Sequence, residues 1–249
     1  MTGKRSEDYK RVFEIIRSYV TISPDFIMTD FELSAINAFK SVFPLTKQRG
    51  CLFHFGQSFW RKIQRFPEIS MQYKTNTQFC LFLKMMVCLA YVPETDVTMA
   101  FETLIMSPFY QENVILQPII DYFENTYIGK SYGRERLIPI FPIPLWNCYN
   151  STLNGDANTN NSVEGWHRSF NSLLTSYHPT IWRFITGLKK QQSLTELKIV
   201  QLQGGDDEAS PRKKYRNLSE RLKRIVSDYR NRDILSYLKG LASNINLNI

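Results

Sequence analysis

Apolar side chains recur at helical spacing from Tyr9 through Val12, Phe13, Ile16 and Val20, behind a Ser6-Glu7-Asp8 start in which Ser6 reads as an N-cap with acidic first-turn residues. The spacing predicts a helix over about 6–20, broken at Pro24. Phe26-Ile27-Met28 is then a short apolar run ending in Thr29-Asp30, the pattern of a buried strand that stops at a polar carboxylate. Phe31 to Phe43 is helical again, with Leu33, Ile36, Phe39 and Val42 to one side and Pro44 as the stop. Gly50-Cys51-Leu52-Phe53 reads as a second strand, leading into a helix with Phe59, Trp60 and Ile63. Helices alternating with short strands imply a parallel sheet covered by helices.

From about 75 to 149 the blocks are helical and punctuated by Pro93, Pro108, Pro118, Pro142 and Pro144. They read as an all-helical insertion. Asn150 to Asn161 is a polar loop with a possible cap at Asn161, and the next helix carries Val163, Glu164, Trp166, His167, Phe170 and Leu173. A long helix runs from Pro179 to about Leu202, and Gly204-Gly205-Asp206-Asp207 is a linker. Leu218, Leu222, Ile225, Val226 and Tyr229 mark a final amphipathic helix with a basic opposite face. The division expected is 1–70 for a partial sheet core, with strands near 26–29 and 50–54, and 71–160 for the helical insertion. After it come 161–203 for core helices carrying Glu164, and 204–249 for a linker and basic helical tail.

Composition narrows the class. A chain of 249 residues that is 43% hydrophobic can bury a core large enough to offset its ordering entropy, which excludes disorder as the main state. The most apolar stretch, Phe79 to Val92, is interrupted by Lys84 and is shorter than the roughly 18–20 residues of a membrane span. Met1 precedes polar sequence, so no secretory leader is expected. The four cysteines then read as reduced thiols. The net charge is +8, and all of it lies beyond residue 167, since the acidic and basic side chains before that point balance. A basic segment of this kind favours a polyanionic partner, because each phosphate neutralised releases a condensed counterion; a solvated helical surface is the plainer reading.

The candidate chemistry is spread over three places: Thr29-Asp30 at a strand end, Cys51-x-x-His54 after the next strand, and Asn161-Ser162-Val163-Glu164 opening a late helix. Singly, each has an ordinary structural explanation: a helix cap, local packing, or an acid favoured by the helix macrodipole. Together, the stretches KRSEDYKRVF at 4–13, TDFELSAINAFKSVF at 29–43, GCLFHFGQSFW at 50–60 and NNSVEGWHRSF at 160–170 resemble the transposase domain of Mutator-like elements, the MULE family.

That resemblance implies a DDE-type, ribonuclease-H-like fold, here an α/β remnant that is predominantly α-helical, with a small parallel sheet and the helical insertion. It implies that Asp30 and Glu164 match two catalytic carboxylates, which in the intact family enzyme hold Mg²⁺ or Mn²⁺ for two-metal DNA cleavage and strand transfer. Cys51 and His54 match the family's Cys-x-x-His, which the resemblance makes candidate metal or DNA contacts. The family's first catalytic Asp lies upstream of the part that aligns with Met1, so the resemblance implies an N-terminally truncated domain, inactive alone. DNA is the implied partner and the nucleus the implied location. Arg168, Arg183, Lys189, Lys190, Arg212, Lys213, Lys214 and Arg216 are the candidate phosphate contacts. Two other readings stay open: a domesticated, non-catalytic nucleic-acid-binding protein, and a helical interaction scaffold. An incomplete sheet would also leave an edge prone to self-association.

Overall fold

The structure, a computed structural model, describes residues 3–133, 135–174, 178–205 and 213–247, with the backbone alone at 161–162 and 213–215. It is mainly helical with one small parallel sheet. The elements that open the chain are α1 (Ser6–Tyr19), β1 (Phe26–Thr29), α2 (Leu33–Val42), β2 (Lys47–Gly50), α3 (Leu52–Gln64), α4 (Pro67–Thr75) and α5 (Thr77–Cys88). After them come α6 (Val97–Ile105), α7 (Pro108–Glu112), α8 (Gln117–Phe123), β3 (Ser131–Tyr132) and β4 (Glu135–Arg136). The remainder comprises α9 (Ile143–Trp146), α10 (Tyr149–Asn154), α11 (Asn161–Leu174), α12 (Ile181–Gln203), α13 (Lys213–Ser227) and α14 (Ile234–Ala242). Two compact units result, one of residues 1–158 with 218–249 and one of residues 159–217.

In the first unit β1 pairs with β2 in parallel, with Phe26 opposite Lys47 and Thr29 opposite Gly50. The second strand therefore lies earlier than the 50–54 expected from sequence. Lys47-Gln48-Arg49-Gly50 carries no apolar pattern, whereas Leu52-Phe53 belongs to the first turn of α3, whose buried residues Phe55, Phe59 and Ile63 recur every fourth position. Near β1, Phe39, Val42 and Phe43 of the α2 region form a small cluster joined by Phe13 and Ile27. Phe13 meets Phe39 edge to face at 5.2 Å. Ser6 is not the cap of α1: Arg5 occupies that place, and its N–H donates to Asp8 Oδ2 at 3.3 Å.

The main core is built on α3 and α5. Phe55 stacks on Trp146 at 5.1 Å and meets Tyr127 edge to face at 4.8 Å. The buried Trp146 indole N–H donates to the carbonyl oxygens of Phe141 (3.2 Å) and Tyr127 (3.3 Å), so this large ring leaves no polar atom unsatisfied. Along α5 six of twelve residues are buried, which accounts for the long apolar run at 79–92 as a core helix. Among the described residues no helix is long and apolar enough to cross a membrane.

Three further expectations change. The segment 71–160 is not all helical, because β3 and β4 form a short antiparallel pair. Gly129 (φ 95°) precedes that hairpin where a Cβ would stand 1.9 Å from Leu137 O, a place only glycine can fill. The polar stretch 150–161 is not wholly a loop, since α10 runs to Asn154 and ends on the left-handed Gly155. The basic helical tail expected over 204–249 contributes to the main core: Tyr237, Leu238, Leu241 and Ala242 of α14 are fully buried there, as is Val226. Tyr237 donates its hydroxyl proton to Tyr91 O. Of the linker expected at 204–207, Asp206 and Asp207 lie outside the described residues.

In the second unit Phe170 and Leu174 of α11 are buried, and Gly187 of α12 lies against them, where a Cβ would come within 2.8 Å of Leu174 Cδ2.

Candidate functional site: a cleft beside Asp30

Asp30 follows directly on β1, and both of its neighbours in the chain are anchored. On one side the strand ladder is extended by the Cys51 N–H, which donates to Thr29 O at 2.9 Å. On the other side Phe31 plugs into an aromatic group, 5.1 Å from Phe141 and 5.9 Å from Phe55. Gly50, opposite Thr29, makes room for this plug: a Cβ there would lie 2.5 Å from Phe31 Cζ. The carboxylate is thereby held at a fixed point on a rigid pair of elements while half-exposed.

Its neighbour is His54, in the first turn of α3, whose Nδ1 lies 2.9 Å from Asp30 Oδ1. The two form an ion pair whenever the imidazole is protonated. The start of α3 is fixed in turn by the Leu52 N–H, which donates to Asn158 O at 2.9 Å. Asn158 is itself tied down by donating to Thr152 Oγ1 at 2.9 Å. Cys51 caps α3 and is fully buried. It shares that interior with Cys148, whose thiol burial pushes up to about 12.

An open cleft of about 520 Å³ begins at Asp30 and Glu32 and runs along α3. The wall is one helical stripe: His54, Gln57, Ser58, Arg61, Lys62 and Arg65 recur at spacings of three and four. Phe31, Phe141 and Tyr122 complete it. Ser58 Oγ stands 2.9 Å from the hydroxyls of both Tyr122 and Tyr127. Lys62 Nζ sits over the Tyr122 ring at 5.0 Å, a cation–π contact. Tyr9 donates to Glu32 Oε1 at 2.9 Å, and desolvation together with that carboxylate raises the phenol above its ordinary pKa.

Of the residues expected from sequence, Asp30 and His54 are brought together. Glu164 lies in the first turn of α11, half-buried, in the second unit, on the same side of that helix as the exposed His167 and Arg168. Arg168, Arg183, Lys189, Lys190 and Arg216 are exposed on their helices. Arg212 lies outside the described residues, and Lys213 and Lys214 are placed by backbone only, at the start of α13. Sequence reasoning misses the cations on α3, although a signal for them exists: with Phe55, Phe59 and Ile63 inward, positions 54, 58, 61, 62 and 65 must face outward.

Mg²⁺ and Mn²⁺ take oxygen ligands, several at once. Within the first unit Asp30 stands against an imidazole, and among the described residues no group of three His, Cys, Asp or Glu is gathered to hold a metal ion. Asp30 and His54 alone do not make up a two-metal cage, and Glu164 belongs to the second unit, so no step through such ions follows from this cleft.

Residues 1–58 match the family model described as the MULE transposase domain. The matched part includes Asp30, Cys51 and His54 and ends before Glu164. No curated protein and no solved structure matches the chain.

Proposed function

We propose, from the premise that residues 1–58 are MULE transposase domain sequence, that this protein is a DNA-binding derivative of a DDE-type transposase which does not cut or join DNA by itself. On this reading β1, β2 and their helices are part of a ribonuclease-H-like core. Asp30 and Glu164 descend from the carboxylates of a two-metal strand-transfer site, and the protein acts in the nucleus. The observation that carries the reading is the placement of Asp30: a carboxylate at the exit of a parallel strand, locked between the strand ladder and Phe31, at the mouth of an open cleft. Non-cleavage is supported by the donor set, in which a single strand-end carboxylate is engaged by His54.

The test is a strand-cleavage and strand-joining assay on duplex DNA with Mg²⁺ or Mn²⁺. The expected result is duplex binding without cleavage. Robust cleavage that disappears in Asp30→Ala would contradict the non-catalytic part of the proposal. Asp30 is half-exposed, so the variant should fold normally.

The scaffold reading has one observation in its favour. α1 buries none of its residues, and Ile15, Ile16 and Tyr19 are exposed on it. Concentration-dependent oligomerisation, abolished by Ile15→Glu/Tyr19→Glu, would support that reading instead.

A further inference from the structure

We infer that the wall of the Asp30 cleft formed by α3 is a seat for a nucleic-acid backbone, with Arg61, Lys62 and Arg65 as its phosphate contacts. This rests on the proposed DNA-binding function but assigns it to a surface that the basic C-terminal third does not include. Three observations converge. First, Arg61 and Lys62 in the last turn of α3 and Arg65 at its C-cap stand at i, i+1 and i+4 and line the same cleft as Asp30. Second, no carboxylate pairs with Arg61, Lys62 or Arg65 among the described residues. Unpaired surface cations converging on a concave surface repel one another until an anion arrives, so they favour a polyanion on arrival.

Third, the dimensions suit a chain and not a compact ion. From Arg61 to Arg65 α3 rises about 6 Å, and one nucleic-acid strand carries a charge about every 3.4 Å of its axis, so about two consecutive phosphates lie opposite the three cations. From Arg61 back to His54 is about 10 Å, roughly three more nucleotides, which brings the strand to Asp30. The cleft is open, and Arg61 and Arg65 are exposed, as a ligand that keeps one side in solvent requires. Lys62 is already oriented, lying 5.0 Å over the Tyr122 ring and 5.3 Å over Phe66, so less side-chain freedom is lost on binding. The acidic end at Asp30 and Glu32 disfavours phosphates there and so sets where along α3 they rest.

The experiment compares duplex binding by the full chain, by Arg61→Glu/Arg65→Glu and by Arg183→Glu/Lys190→Glu, with poly-glutamate as competitor. The α3 variant should weaken binding at least about tenfold and reduce the slope of log K against log salt by about two, one for each phosphate left without its cation. In the unmodified chain, bound DNA should also slow acetylation of Lys62, a readout that needs no variant and so survives any misfolding. Wild-type affinity in the α3 variant, with Lys62 acetylated at an unchanged rate, would overturn the inference while leaving DNA binding to the C-terminal cations. Poly-glutamate competing as well as DNA would overturn it in favour of an acidic protein segment. A wild-type chain that binds no DNA would overturn the proposed function and this inference together.

Discussion

A glycine decides how Asp30 is presented. Gly50 sits across the strand pair from Thr29, and the ring of Phe31 occupies the space a side chain would need. Gly50→Ala must therefore push Phe31 out of its packing against Phe55 and Phe141. We expect a loss of about 1–3 kcal/mol in stability, as for overpacking of a core, measured by urea denaturation. The same variant should weaken DNA binding at the cleft. A catalytic descent for Asp30 is suggested by the resemblance alone. An Asp after an apolar strand is most often a cap, and nothing in its neighbours' types announces His54, which lies 24 positions on in the chain and 2.9 Å away in space.

Elements were legible where their pattern was strong and local. α1, β1 and α2 follow from apolar spacing bounded by prolines, and α12 from its length, with Thr180 accepting from the Arg183 N–H as its cap. β2 escapes such a reading because the strand that pairs is polar and the apolar residues beside it serve a helix. α14 was legible only as part of a helical tail: Leu238 and Leu241 are ordinary for any amphipathic helix, and only tertiary packing against α5 and α6 makes them core. That packing is testable, since a dispensable tail would tolerate truncation of these side chains. Leu238→Ala should cost about 2–5 kcal/mol of global stability, and Tyr237→Phe about 1 kcal/mol through removal of the hydrogen bond to Tyr91 O. Denaturation midpoints equal to that of the unmodified chain would return α14 to the surface.

On the scale of the whole molecule, a core this rich in tyrosine has a consequence for pH. Burial raises the phenols of Tyr91, Tyr110, Tyr127 and Tyr237 above their ordinary value of about 10. The folded protein therefore holds these protons more tightly than the unfolded chain does. Their contribution to stability is fully present below about pH 10 and is lost as pH rises beyond it toward the folded values. Circular dichroism should show cooperative alkaline unfolding, with the share of tyrosinate absorbance due to these four rings appearing only as the structure melts. Complete tyrosinate absorbance before the loss of ellipticity would contradict the buried placement of these rings.

Charge, more than any catalytic group, is what the two units have in common: cations on α3 in one, and on α11 and α12 in the other. Whether they meet nucleic-acid phosphates decides what the protein is. The most direct measurement is fluorescence anisotropy of a labelled duplex of unrelated sequence, titrated with the full chain at several salt concentrations between about 50 and 200 mM. The expected result is binding whose log K falls linearly with log salt, at about 0.9 for each phosphate neutralised and a total of several. An affinity that is absent at the lowest salt, or flat across the series, would contradict it.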